Sequence, residues 1–325
     1  MSYCCRLVFI LLCCALVGCA SSSNPSGAKK LRIAVIPKGT SHEFWKSVEA
    51  GVRKAADEFS DIDVIWKGPL SEGQTAAQID MVESFVADGY DGICVAPLDA
   101  IALRRPIEQA QAAGTKVVLF DSGLEDASGV VSYVATNNFR GGQQAGEYLA
   151  KLLEGQGKVI LMRYDLNSES TNQRERGFLE ALTPHAGIEL LSSDKFGGPD
   201  ESKAIELAEN LVSTYGDQIQ GIFCPNESTA AGTLTAFKRA GLAGKVKLIG
   251  FDSGPRIAAG LEQGEVHGTI LQDPVQMGYD AVRVMRDHLQ GRPVPERIET
   301  QEVLATTENC REPEIRALLF PAAAR

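Results

Sequence analysis

Histidine is scarce in this chain. His42, His185, His267 and His288 are the only four in 325 residues, too far apart in the sequence to suggest a shared metal ion, so no metal is expected. Cysteine is concentrated at one end. Five of the eight lie within residues 1–19, leaving Cys94, Cys224 and Cys310 with no C-x-x-C spacing anywhere. Cys94 and Cys224 fall in apolar strands and are expected as buried free thiols. No G-x-S-x-G, no P-loop and no G-x-G-x-x-G occurs, so no nucleophile elbow, nucleotide or other cofactor is expected. Basic charge is in deficit, with 32 Lys and Arg against 42 Asp and Glu and a net charge of −10, which argues against nucleic acid as a partner. Long apolar runs are also missing. The longest, residues 7–17, has 11 residues, short of the roughly 20 that span a bilayer.

That short run has the proportions of a signal-peptide core, with Arg6 the only charge in the first 28 residues. The next residues, L-V-G-C at 16–19, resemble the bacterial lipobox. The resemblance implies a signal peptide over 1–18, cleavage before Cys19, and a lipid on its thiol that attaches the protein to a membrane of the cell envelope. Residues 19–30 then read as a tether, with A-S-S-S-N-P-S-G at 20–27 as its flexible part.

The body of the chain carries the same punctuation twice. D-G-I-C-V-A-P at 91–97 is echoed by Q-G-I-F-C-P-N at 220–226, an offset of 129 residues. K-V-V-L-F-D-S-G at 116–123 is echoed by K-L-I-G-F-D-S-G at 247–254, an offset of 131. A period this long is not that of a solenoid. It points to two similar α/β halves, each ending an apolar strand in Phe-Asp-Ser-Gly. Ligands of open α/β sheets sit outside the carboxyl ends of the strands, so facing halves would set Asp121 and Asp252 on opposite walls of one cleft.

Strand and helix patterns alternate on both sides of the repeat. The first half reads as strand 31–36, a helix after Ser41, strand 64–66, helix 74–88, strand 92–96, helix 101–113 and strand 116–120. The second reads as strand 158–162, helix 171–182, strand 188–191, helix 200–215, strand 221–224, helix 228–240 and strand 246–251. The fold class is therefore α/β, two similar doubly wound parallel-sheet domains joined by a multi-strand hinge. A long helix over 274–290 follows the second repeat and is expected to pack back on the first half. The chain would then cross near 136, 272 and 302, giving one lobe of 31–136 plus 273–302 and a second of 137–272 plus 303–320. The tail 309–325 carries no pattern of its own.

Several short motifs in order are similar to the ribose-binding-protein group of type 1 periplasmic binding proteins, the solute receptors of ABC importers. They are I-A-V-I-P with the pair Phe44-Trp45, F-D at 120–121, A-T-N-N at 135–138, R-E-R-G-F at 174–178, P-N-E at 225–227, G-F-D at 250–252 and T-I-L-Q-D-P at 269–274. The resemblance runs from about residue 31 to 308. It implies a monomeric two-lobed protein of the periplasm that closes on a sugar, polyol or sugar acid and delivers it to a membrane permease. A sensory receptor presenting its closed form to a signalling partner is the alternative the same architecture allows. Carried over by motif, the ligand site would draw on Lys38, His42, Phe44, Trp45, Asp121, Ser122 and Thr136 from one side. Arg174, Asn226, Asp252 and Gln272 would form the other side and the hinge. Three positions depart from the ribose pattern: Ser122 stands where an Arg is usual, Lys38 where a Ser is usual, and Ala96 where an Asn is usual.

The residue types suit a sugar. Carboxylates accept hydroxyl hydrogens, Arg and Asn donate to ring and hydroxyl oxygens, and aromatic faces stack on C–H patches. Simpler roles stand beside these. Asp121 and Asp252 would also serve as helix caps, Glu227 as a helix N-terminal charge, and one of Phe44 and Trp45 as core. Phe196 is a candidate second aromatic wall. Opposed carboxylates also suggest a glycosidase, but Lys38 and Arg174 in the same cleft would keep both ionised and leave no general acid. No enzyme is expected. A transcription repressor of the same core fold would need a DNA-binding module before residue 31, where the signal peptide is read instead.

Overall fold

The computed structural model describes residues 29–321. The expected signal peptide and the lipid site at Cys19 lie outside the described residues.

Alternation of apolar and amphipathic segments produces the expected order. The first half runs β1 (Leu31–Ile36), α1 (Glu43–Glu58), β2 (Ile62–Trp66), α2 (Thr75–Ala87), β3 (Gly92–Val95), α3 (Arg104–Ala112), β4 (Lys116–Phe120) and β5 (Ser132–Thr136). The second runs α4 (Asn138–Leu152), β6 (Gln156–Arg163), α5 (Glu169–Leu182), β7 (Gly187–Phe196), α6 (Glu201–Tyr215), β8 (Gly221–Phe223), α7 (Glu227–Ala240), β9 (Lys247–Phe251), α8 (Pro255–Glu262) and β10 (Gly268–Gln272). Then come α9 (Pro274–Leu289), β11 (Arg297–Thr300), β12 (Glu302–Thr306) and α10 (Pro313–Leu319).

Two six-stranded sheets result, ordered β11-β5-β4-β3-β1-β2 and β12-β10-β9-β8-β6-β7. Position by position they correspond, which is the sequence repeat expressed in space. All pairings are parallel except β10 with β12. Central strands β3 and β8 are buried along their whole length, as strands covered by helices on both faces must be. Each sheet has a separate apolar cluster on each face.

Helix α9 belongs to the first sheet and packs on α1. Their approach is close enough that a Cβ on Gly51 would sit 1.9 Å from the Val275 carbonyl oxygen. The chain passes between sheets at Asn137, Asp273 and Gln301. Asn137 and Asp273 cap the helices that follow, accepting from the N–H groups of Arg140 and Gln276. Side chains tie the crossings together: the Thr136 hydroxyl donates to Gln272 Oε1 at 2.6 Å and lies 3.3 Å from the Thr300 hydroxyl.

Two segments differ from their sequence expectation. The strand read at 188–191 extends over ten residues as β7, with register shifts against β6. The tail without a pattern forms α10 and sends Cys310, Ile315 and Leu319 into the core of the second lobe. Cys94, Cys224 and Cys310 are free and buried, and burial pushes the Cys94 thiol well above its ordinary pKa and the Cys224 thiol to about 12.

Candidate ligand-binding site

The two strand-end aspartates set the site. Asp121 and Asp252 both have left-handed backbones, φ 60° and 71°. Each terminates a buried strand and turns its carboxylate into the space between the lobes. Left-handed φ is uncommon for residues with a Cβ, and aspartate tolerates it better than most. Burial raises the pKa of both carboxylates, with Lys38 and Arg174 acting against the rise at Asp121 and Arg174 and Gln272 at Asp252.

A cation faces each one. Lys38 follows β1 and is buried, with Nζ 3.4 Å from Asp121 Oδ2. The same ammonium donates to Ser168 Oγ and Ser170 Oγ of the opposite lobe, both at 3.1 Å, so the lobes are closed on one another. Arg174 of α5 lies 3.8 Å from Asp252 Oδ2. Its Nε donates to Asn138 Oδ1 at 2.8 Å, its Nη1 to the Pro225 carbonyl at 2.9 Å, and its guanidinium stacks 3.7 Å from the centre of the Phe251 ring. Glycines set its depth: a Cβ on Gly142 of α4 would sit 1.9 Å from the Arg174 carbonyl oxygen, and one on Gly177 2.0 Å from that of Phe139. Gln272 then links hinge and site, donating from Nε2 to Asp252 Oδ1 at 2.6 Å.

A third charged pair was not anticipated. Glu72, in the loop after β2, takes hydrogen bonds from Trp45 Nε1 at 2.5 Å and from the Tyr164 hydroxyl across the cleft, with His42 Nδ1 at 3.1 Å. Burial alone would raise Glu72, but the His42 hydrogen bond and the charges of His42 and Lys38 bring it down to about 2. Burial alone would lower His42, but Glu72, Glu227 and Asp252 outweigh it and raise the imidazole to about 9.

Lys38, His42, Phe44, Trp45, Asp121, Arg174, Asn226, Asp252 and Gln272 line a single cavity between the lobes. Phe44 and Trp45 both reach it, edge to face with ring centroids 4.8 Å apart, rather than one being core alone. Asn226 combines its place on the wall with an N-cap of α7 in a reciprocal capping box with Thr229. Two expected residues stand back from the wall. The Ser122 hydroxyl accepts from the Ser170 N–H at 3.2 Å, and Thr136 is occupied in the hinge. Phe196 is also no wall. It is exposed, with the Arg163 guanidinium over its ring.

Glu72, Tyr164, Ser170, Thr171 and Glu227 complete the lining. Tyr164 had a usable signal, since it directly follows β6, the counterpart of β1 from which Lys38 projects. From sequence, Glu227 is expected as a helix N-terminal charge. It does begin α7, but its carboxylate accepts from the N–H groups of Glu43 and Phe44 in the other lobe, at 3.2 and 3.1 Å.

Two mirrored lobes shut over a buried polar cavity, with the ligand wall at the strand ends, are matched in sequence as well. The profile of the periplasmic binding protein domain covers residues 33–293. The chain belongs to this family. As in the rest of the ribose-binding type, the protein is a binder and not an enzyme. It is 29% identical over 269 residues, 81% of this chain and 83% of the other, to the D-ribose/D-allose-binding protein of Pseudomonas aeruginosa. It is 28% identical to the D-allose-binding periplasmic protein of Escherichia coli over 86% of this chain and 91% of that one. Among solved structures, a carbohydrate transporter solute binding protein from Agrobacterium radiobacter in complex with D-arabinose superposes with a TM-score of 0.85 at 29% identity, covering 90% of this chain and all of the other. An ABC transporter solute binding protein from Agrobacterium vitis with bound D-fucose gives 0.85 at 29% identity over 89% and 99%.

Proposed function

We propose that this periplasmic binding protein is an extracytoplasmic receptor that closes around a neutral sugar or polyol and delivers it to an ABC importer, held at the membrane by lipid on Cys19. The relatives supply the ligand class, being named for ribose, allose and arabinose complexes. One observation carries the choice of a neutral ligand. Each cation of the cavity faces a carboxylate of the chain itself: Lys38 with Asp121, Arg174 with Asp252 and His42 with Glu72. An acidic sugar would bring a further negative charge into a site whose cations are already matched, at a desolvation cost with no free partner. Hydroxyl groups instead find donors and acceptors side by side, and Phe44 and Trp45 offer apolar rings to the C–H faces. Lys38 in place of the usual Ser then acts as a hydroxyl donor and as a tie between lobes.

In this reading, 31–136 with 273–302 form one lobe and 137–272 with 303–320 the other, a division supported by the sheet to which each strand belongs. Closure is a population shift, and contacts from both walls supply the difference between open and closed forms. A thermal-shift panel tests the proposal. D-ribose, D-allose, D-arabinose, D-fucose and xylitol are set against galacturonate and ribose 5-phosphate. A ligand that binds only the native state raises Tm with its concentration. Stabilisation by at least one neutral compound and by neither acid is the expected result, and stabilisation by the acids alone would overturn it.

A further inference from the structure

Helix α1 begins in the ligand cleft without a cap of its own. Its N-cap residue is His42, whose side chain makes no capping bond and is turned to Glu72. The first N–H groups of a helix have no partner inside it. Here the N–H groups of Glu43 and Phe44 are met by the two oxygens of Glu227, which stands on the other lobe.

Glu227 has no need of that partner for its own helix. Helix α7 is capped by Asn226, whose side chain and that of Thr229 satisfy each other's backbone N–H groups. An acidic residue in the first turn ordinarily serves its own helix dipole, whereas this one reaches across the cleft. Among the described residues, no Lys or Arg lies within ion-pair distance of its carboxylate. Arg256 nearby is committed to Glu201. The Glu227 N–H in turn donates to Asp252 Oδ2 at 3.1 Å, which ties it to the ligand wall. Glu227 and His42 are also shared by the ligand cavity and by an outer hollow lined by Ser41, Glu43, Glu201 and Arg256. The carboxylate therefore stands between the ligand space and the outside.

We propose that Glu227 is a latch between the lobes: its carboxylate caps helix α1 in trans and holds the closed form with protein atoms alone. When the lobes part, two helix N–H groups lose their acceptor, so opening carries the cost of an uncapped helix in addition to any lost ligand contact. Asp252 connects the latch to the ligand, because one carboxylate both faces the cavity and holds the Glu227 backbone in place. The proposal builds on the reading of the protein as a closing receptor, but it makes a claim about the ligand-free chain.

Amide hydrogen exchange in the ligand-free full-length protein is the test, because no ligand contact can then account for the result. The Glu43 and Phe44 amides are expected to be protected in the wild type, and only one of the two in Glu227→Gln, whose single amide oxygen accepts while its NH2 group cannot. They are expected to exchange several-fold faster in Glu227→Ala. Glu227→Asp keeps the charge and shortens the reach, and is expected to lose the protection too, which guards against a folding defect of the alanine variant. The Thr229 amide, bonded within α7, serves as the internal control and should not change. Equal exchange at Glu43 and Phe44 in the wild type and in both shortened variants would overturn the latch. That result would leave sugar binding untouched. Conversely, failure of every sugar in the thermal-shift panel would leave the exchange result standing. Where a sugar is bound, losing the cap should weaken its affinity by roughly five-fold, the effect of removing a helix N-cap.

Discussion

Asp121 and Asp252 hold the same left-handed conformation at the same point of two successive half-chains. Their N–H groups donate to the matching neighbours Val134 and Ile270 at 2.9 and 2.8 Å. Their surroundings then diverge, Asp121 taking an ammonium and Asp252 a guanidinium with a glutamine amide. Asparagine tolerates left-handed φ as aspartate does and can still accept from Gln272. Asp252→Asn should therefore melt within a few degrees of the wild type while its sugar affinity falls roughly ten- to a hundred-fold, the range for a charged hydrogen bond. Titration calorimetry beside a melting curve separates the two effects, and unchanged affinity would remove Asp252 from the ligand wall.

Arg174 depends on its backbone as much as on its partners. Adding a methyl group at Gly142 would drive into the Arg174 carbonyl oxygen at 1.9 Å, so α4 and α5 must separate. Gly142→Ala is expected to cost about 1–3 kcal/mol of stability, the usual range for overpacking, and to weaken sugar binding although Gly142 does not line the cavity. Denaturant unfolding and calorimetry measure both. Full stability in this variant would show that the helices have slack there.

The Glu72–His42 pair makes a spectroscopic prediction. With Glu72 ionised, His42 is held near pKa 9, against the lowering effect of its own burial. Glu72→Gln removes the largest of the interactions that outweigh burial, so the imidazole pKa should fall from about 9 toward its ordinary value of about 6.5. Histidine ring NMR shifts followed against pH report this directly. A His42 titration unmoved by the substitution would mean that Glu227 and Asp252 supply the stabilisation instead.

Stability should decline toward alkaline pH in two steps. Burial, only partly offset by His42 and the α1 N–H groups, raises Glu227 to about 7 from its ordinary 4.5. A group with a raised pKa contributes stability that is complete below the ordinary value and is lost as pH climbs through the raised one. Glu227 thus weakens the closed protein between about pH 4.5 and 7, and His42 does so between 6.5 and about 9. Glu72, lowered to about 2, acts on the acid side, and its contribution is lost as pH falls from 4.5. Melting temperatures from pH 4 to 10 should show this profile, with the lower alkaline step missing in Glu227→Gln. The same profile in that variant would assign the step elsewhere.

The parts of this site that the sequence made legible are those tied to strand ends. Asp121, Asp252 and Lys38 each sit at the close of an apolar run, so a periodicity argument places them at the cleft. Arg174 is legible from its helix position one turn before Gly177 and Phe178. Glu72 is not, because it lies in an irregular loop whose course is fixed by tertiary contacts with Trp45 and Tyr164. The motifs place Ser122 beside the wall residue Asp121 and Thr136 at a hinge crossing, but each hydroxyl is taken by a different partner, Ser170 N–H and Gln272. Strand β7 was read short because its exposed edge carries polar residues through S-S-D-K, which weakens the apolar signal while pairing with β6 continues. The tail gave no pattern because α10 has only seven residues and buries just Ile315 and Leu319.

The chain passes from lobe to lobe three times, at Asn137, Asp273 and Gln301, and hydrogen bonds among Thr136, Gln272 and Thr300 hold these passages side by side. A cord of three plies does not part when one is cut. A nick or new chain terminus at any one passage leaves two covalent tethers and the same bending axis, so the jaw outlasts the loss of any one of its threads.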